Sequence, residues 1–444
     1  MYFDLAAFLR YNFRAFFKTK GEHYRLTPKR FLVLFIWLVL YIPAQIINRF
    51  FFLVDEVIFP RYRQQEVKQP VFIIGNPRSG TTFLHRLMDK DKATFTSFAV
   101  WELLFAPSIT QRKIIIGLGK VLKLVGYPVK KATELFNNKF AIDKAAHKIK
   151  LDEAEEDEHI LVHAWSSETL WPLYPIKEEI FPYFFFDRDI PRPQQHKVMK
   201  FYKNMIQRHI YAHGGNKILL SKNPSHTAKI AALQEYFPDA RFIHLARNPF
   251  ESMPSMLNYM ATGWKLFCDP YELYPYKQEF FEVMNFYYLY PVEYFQNKGE
   301  VCSFIKYEDL VGSPDEIADD IYAWLGLEMS DAFALTVDEE TEKARKFISE
   351  HSYTMEEMGL SEALIFQKFN EVFNYFEFET RQQELPDRVM LWQIKGWRQD
   401  WKIRRLERRG ARLERKLQRR ERRRSEKNLP LSGTLMPKDH PSQH

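Results

Sequence analysis

Residues 70–91 read PVFIIGNPRSGTTFLHRLMDKD, and this stretch constrains the chain more than any other. The apolar run VFII ends in Gly75, the pattern of a strand buried on both faces. Beyond a short loop, Phe83, Leu84, Leu87 and Met88 recur at helical spacing, so a helix begins near Thr81. The first amides of a helix have no internal partner, and the helix dipole favours an anion beside them. Gly75 and Gly80 let backbone approach that anion closely. Ser79, Thr81 and Thr82 add hydroxyl donors, and Arg78 adds a permanent charge. A plain structural turn explains the glycines but not this set of donors. The glycine spacing matches the nucleotide-kinase loop GxxxxGK[ST]. Thr81, however, stands where that loop has its lysine, and the cation has moved inside the loop to Arg78.

Further apolar runs follow at KILLS (217–221), RFIHLA (241–246) and CSFIKY (302–307), each leading into a helical pattern. Strands alternating with helices imply parallel βαβ units. The expected fold class is α/β: a P-loop-like core with a central parallel sheet flanked by helices, with N-terminal membrane-associated helices and a basic C-terminal helix. Three parts are expected in the 444 residues: 1–60, a membrane-associated helical region; 61–390, the catalytic domain; and 391–444, a basic tail with a disordered end. The first part mixes Phe13, Phe16 and Phe17 with Arg10, Arg14, Lys18 and Lys20, and then carries the uncharged run 31–47. Spanning a bilayer takes about 20 apolar residues, so this run leaves three readings open: a short transmembrane helix, an in-plane helix or a buried core helix. No small-residue cleavage site follows it, which argues against a signal peptide.

Charge is unevenly spread. Residues 402–427 hold fourteen Lys and Arg against four Glu, more than the whole net charge of +7, so the rest of the chain is slightly acidic. Overall basicity is therefore no ground for a nucleic-acid function. The tail, with Ile403, Leu406, Leu413 and Leu417 at helical spacing, reads as a solvated helix or one that binds anionic lipid or RNA. Two cysteines, Cys268 and Cys302, make neither a disulfide framework nor a zinc site. With no acceptor for N-glycosylation, they point to a reducing, cytoplasmic compartment.

The stretch PRSGTTFLHRLM resembles the 5′-phosphosulfate loop of sulfotransferases that use PAPS (3′-phosphoadenosine 5′-phosphosulfate). Its arginine is similar to that of tyrosylprotein sulfotransferases and many bacterial members. Three further segments are similar to family segments in the same order: 221–256 to the central lysine and 3′-phosphate segments, 305–314 to the YEDL stretch, and 350–360 to a closing segment of bacterial members. The resemblance spans roughly residues 70 to 375 and implies sulfuryl transfer from PAPS, with no metal required.

By that resemblance, residues Arg78 to Thr82 cradle the 5′ end of PAPS. Arg247 and Ser255 grip its 3′-phosphate, and Tyr307 lies near the adenine. Lys222 approaches the bridging oxygen. For the catalytic base three readings stay open: Glu102, whose apolar company would raise its pKa, His226, or neither of them. The acidic run 151–161 reads as a solvated face or as a patch closing on the acceptor. The aromatic stretch 171–189 reads as acceptor cleft or as core. The apolar N-terminus and the aromatic content suggest a lipid-like or lipid-linked hydroxyl as acceptor, with a carbohydrate or protein tyrosine as alternatives. A P-loop kinase and a non-catalytic scaffold are the competing classes. The expected location is a membrane with the catalytic domain in the cytoplasm, or the Golgi lumen for a eukaryotic enzyme.

Overall fold

Five parallel strands form one sheet in the order β2-β3-β1-β4-β5. They are β1 (Val71–Gly75), β2 (Phe95–Thr96), β3 (Ile218–Lys222), β4 (Arg241–Ala246) and β5 (Cys302–Lys306). The computed structural model describes residues 2–20, 24–124, 150–268, 274–345 and 355–380. The basic tail and the first part of the 350–360 segment lie outside them. Contacts divide the chain into two units, residues 1–318 with 328–386 and residues 319–327 with 387–444.

Every residue of β1 is buried, as its unbroken apolar run requires. Four of the five strands coincide with the apolar runs read from the sequence. The fifth, β2, is a two-residue edge strand, too short to show any periodicity. The chain passes from β1 to β2 at one edge, comes back to fill in β3 beside β1, then crosses to the other side of β1 for β4 and β5. The β1 and β4 loops therefore meet at the point where strand order reverses, which is where open α/β sheets bind ligands.

Two helices precede the sheet, α1 (Leu5–Phe17) and α2 (Pro28–Ile58). α2 starts where the Thr27 hydroxyl accepts from the Arg30 amide at 3.2 Å, and it runs far past the 17-residue apolar stretch. Its buried residues, Arg30, Leu34, Tyr41, Gln45, Asn48, Phe52 and Asp55, fall on one stripe, and four of them are polar. The core-helix reading is corrected here: only 22% of its most apolar 18-residue window is buried. Two more helices, α4 (Val100–Leu104) and α5 (Ile109–Leu124), follow α3 (Thr81–Asp89) and β2.

The aromatic stretch 171–189 resolves largely into core. Trp171, Phe181 and Phe184 are buried, and Trp171 meets Trp264 and Tyr276 at centroid distances of 5.8 and 5.1 Å. Both cysteines are free thiols.

Candidate active site

The loop between β1 and α3 is shaped by three left-handed residues, Gly75, Arg78 and Gly80. At Arg78 that conformation costs a residue with a Cβ about 1–2 kcal/mol. Ser79 is fully buried, and its hydroxyl donates to the Asn76 carbonyl at 2.6 Å, so it braces the loop from inside. Gly80 caps α3, leaving the first-turn amides of Thr81 and Thr82 at the loop's mouth.

Two distant segments, residues 247–255 and the helix start at Tyr307, converge on this loop. Arg78 Nε donates to Ser255 Oγ at 3.1 Å, and Arg247 donates to the Arg78 carbonyl at 3.1 Å. The Arg247 guanidinium lies 4.3 Å from the Tyr307 ring centroid and also pairs with Glu251 at 2.6 Å. The Tyr307 ring occupies the room Gly80 leaves: a Cβ there would sit 2.8 Å from Tyr307 Cδ2. Arg78, Gly80, Arg247, Ser255 and Tyr307 thus form one contact set.

The end of β3 is stitched to the same loop. The Gly75 amide donates to Thr227 Oγ1 at 2.8 Å, and the Asn223 amide donates to the Ile73 carbonyl at 2.9 Å. Lys222, 1% exposed, pairs with Glu156 at 2.7 Å and lies 3.8 Å from Glu155. Burial opposes ionisation of Glu155, but Lys222 and His159 outweigh it and leave its pKa below the usual carboxylate value. A short antiparallel contact sets these carboxylates in place: Ala99 bridges Ala154, and the Glu155 amide donates to the Phe98 carbonyl at 3.0 Å. Half-exposed Tyr259 feels the charges of Glu156, Glu155 and Arg78.

The family model described as "Sulfotransferase family" matches residues 70–331, more than half of the chain. The chain belongs to that family. Among curated proteins, the omega-hydroxy-beta-dihydromenaquinone-9 sulfotransferases Stf3 of Mycobacterium bovis and Mycobacterium tuberculosis are each 25% identical over 317 residues, 65% of this chain and 71% of theirs. The solved sulfotransferase STF1 from Mycobacterium tuberculosis covers 82% of this chain and 91% of its own, with a TM-score of 0.61 at 19% identity. STF9 from Mycobacterium avium covers 73% and 81%, with a TM-score of 0.60 at 19% identity. These two share the fold.

In this sulfotransferase the residues expected to serve as base have other surroundings. Glu102 is 1% exposed. Its partners are Arg112 at 3.3 Å, His213 at 2.8 Å, His209 at 3.6 Å and the Ala99 amide at 3.0 Å. The expectation of a raised pKa is corrected: burial pushes it up, but Arg112 and His209 hold it well below the usual value. The apolar neighbours in sequence, Val100, Trp101 and Leu103, gave no sign of these partners. His226 is 1% exposed and sits behind Lys222, with its Nε2 2.9 Å from the Tyr202 hydroxyl and 3.3 Å from Asp157.

The acidic run 151–161 divides its work. Glu155 and Glu156 face Lys222. Asp157 turns inward, where Tyr202 and Ser221 donate to it at 2.5 and 2.9 Å. Glu158 pairs with buried Lys229 at 3.3 Å. The run was visible in the sequence, but nothing there separated the two carboxylates at the lysine from the two that brace it. Thr227 carried no signal at all.

Proposed function

We propose that the enzyme transfers the sulfuryl group of PAPS to the hydroxyl of a lipid-like or lipid-linked acceptor, at a membrane and from the cytoplasmic side. The observation that carries the donor reading is the contact of Arg78 with both Ser255 and Arg247. Two cations and a hydroxyl within one contact set suit the two anionic ends of a single nucleotide. The amides and hydroxyls of Thr81 and Thr82 would hold the 5′-phosphosulfate. Arg247, steadied on the Tyr307 ring, and Ser255 would grip the 3′-phosphate. Tyr307 would bound the adenine.

The acceptor oxygen attacks sulfur as the bond between sulfur and the bridging phosphate oxygen breaks. That electron pair leaves with adenosine 3′,5′-bisphosphate, and the acceptor proton goes to a carboxylate. Lys222 would offset the charge growing on the bridging oxygen. Glu156 and Glu155, already at that ammonium, are better placed to take the proton than Glu102 or His226, because each of those is buried among fixed partners. Relatives named for an omega-hydroxylated dihydromenaquinone support a lipophilic alcohol as the acceptor.

Thermal melts test the donor reading. Adenosine 3′,5′-bisphosphate should raise the melting temperature and ATP should not, whereas a P-loop kinase would respond to ATP. Arg247→Ala should weaken bisphosphate binding roughly 10- to 100-fold, the worth of hydrogen bonds to a charged group. Unchanged binding in that variant removes Arg247 from the site. Sulfated products formed from labelled PAPS and membrane lipid extract identify the acceptor, and labelling confined to added carbohydrate or tyrosine peptide would replace the lipid reading.

A further inference from the structure

α2 is built inside out for a soluble protein. Its inward stripe is tied to the catalytic unit by polar groups along most of its length. Arg30 donates to Cys268 Sγ and the Leu173 carbonyl, at 2.5 and 3.2 Å. The Tyr41 hydroxyl donates to the Val162 carbonyl at 2.7 Å, Gln45 meets His163 at 2.8 Å, and Arg49 donates to the His163 carbonyl at 2.6 Å. Near the C-terminal end, Asp55 pairs with Arg208 at 3.1 Å and accepts from the Ile109 and Thr110 amides, both at 2.9 Å. The outward side is apolar, with Phe35, Leu40, Ile46, Phe50 and Val57 between 53% and 81% exposed.

Two neighbours extend that surface. α1 runs antiparallel to the first part of α2, with Phe8 beside Tyr41 and Phe16 beside Phe31 at centroid distances of 6.2 and 5.9 Å. It exposes Leu5, Leu9, Phe13 and Phe17, spaced by four. α5 hangs from Asp55 of α2 and exposes Ile114, Leu118 and Val121. No acidic residue occurs in Leu5–Phe17, in residues 28–54 or in Ile109–Leu124. Exposed Lys18, Lys20, Lys29, Arg61, Lys113 and Lys120 stand on these helices or just beyond their ends. The two acidic residues at the end of α2, Asp55 and Glu56, pair with Arg208, and Glu178 pairs with Arg14 of α1, so the apolar face is edged mainly by cations and matches one leaflet with anionic headgroups.

We infer that α1, α2 and α5 form a monotopic membrane seat, in which α2 lies in the plane of one leaflet and does not cross the bilayer. The inference rests on the reading of the enzyme as membrane-associated and adds the mode. Crossing would tear Arg30, Gln45, Asn48 and Asp55 from their partners and place them in hydrocarbon, where ionisable and polar groups are expensive. Lying flat keeps every one of those bonds. At 31 residues α2 is about 46 Å long, well beyond the roughly 30 Å of a hydrocarbon core.

The seat also bears on the acceptor. The short 3₁₀ helix Asp157–Ala164 starts beside the Lys222 carboxylates and ends on α2 through His163. Asp157 and His163 are about 12 Å apart along it. The reacting groups therefore lie one short helix from the lipid-facing element, within reach of a hydroxyl carried at headgroup depth.

The test uses the full chain and reads binding without turnover. In sealed membrane vesicles from expressing cells, Lys20→Cys and Arg61→Cys, each in a Cys302→Ser background, report the two ends of α2 to an impermeant maleimide. A monotopic seat makes both sites reactive from the same side; reaction from opposite sides shows a crossing and overturns the inference. The triple variant Phe13→Ser, Leu40→Ser, Leu118→Ser changes only exposed positions. Its partition onto phosphatidylcholine–phosphatidylglycerol vesicles should fall by roughly tenfold per residue, with melting and oligomeric size unchanged. Undiminished flotation, a wild-type chain that does not float, or an altered oligomer in place of altered flotation each rejects the seat. Bisphosphate-induced stabilisation, measured on the same samples, reports separately on the donor site.

Discussion

Glu102 and Glu156 are both glutamates beside a cation, and their fates differ because their surroundings differ. Glu102 is enclosed by Arg112, His209 and His213, whereas Glu156 retains an exposed edge beside Lys222. Glu156→Gln should lower turnover about 10²-fold while bisphosphate stabilisation survives. An active Glu156→Gln would shift the proton to Glu155, and activity in the double variant would remove both. Glu102→Gln should act on folding instead. It leaves Arg112 buried without its carboxylate, a loss of about 3–5 kcal/mol read in denaturant melts. A variant that melts like wild type but has lost turnover would restore Glu102 to the chemistry. The sequence showed an acid among apolar residues and an acidic run fifty positions later. Which acid meets which cation is a long-range fact, and no local pattern encodes it.

At the scale of elements, the strand–loop–helix cradle was the most legible part of the molecule. Its strand, glycines and helix are contiguous, so hydrophobic pattern and turn chemistry act on neighbouring residues. Gly75 makes this testable. Its φ is +131°, and a Cβ would lie 2.2 Å from the Leu245 carbonyl oxygen of β4. Gly75→Ala should cost about 4 kcal/mol by forcing β1 from β4. Gly117, inside α5, has no atom within 4 Å of its added Cβ, so Gly117→Ala should gain up to about 1 kcal/mol from helix propensity. Equal melting shifts for the two would contradict the close packing of β1 on β4. α2 was less legible. Its apolar run was plain, but the length and inward polar stripe depend on partners such as His163 and Arg208, more than a hundred residues away.

Across the whole molecule, acid sensitivity follows from buried imidazoles. Burial is the main cause that pushes His85, His163, His209 and His244 down from 6.5 to about 4. Unfolding releases them to take up protons at ordinary values. As pH falls from about 6.5 to about 4, each favours the unfolded chain, by up to about 3 kcal/mol. Glu102 and Asp157, held low by their partners, add to the loss below the ordinary carboxylate range. Glu168 opposes it: burial raises its pKa to about 7, so acidification from about 7 to 4.5 relieves its cost in the fold. Asp187 and Glu308, also raised by burial, act with Glu168, but the four imidazoles carry the larger shifts above the carboxylate range, so the melting temperature should fall below pH 6.5 with net proton uptake on unfolding; a flat profile from 6.5 to 4 would contradict the burial of these rings.

The amino-acid sequence alone determined the strand–loop–helix turn at residues 71–89, the parallel α/β core and the family, because each rests on adjacent residues whose periodicity and chemistry act locally. Tertiary structure decided that the β1 and β4 loops share one contact set, that Glu155 and Glu156 reach Lys222, and that the polar stripe of α2 faces protein. A periodic pattern reveals that a helix has two faces; only packing assigns what each face meets.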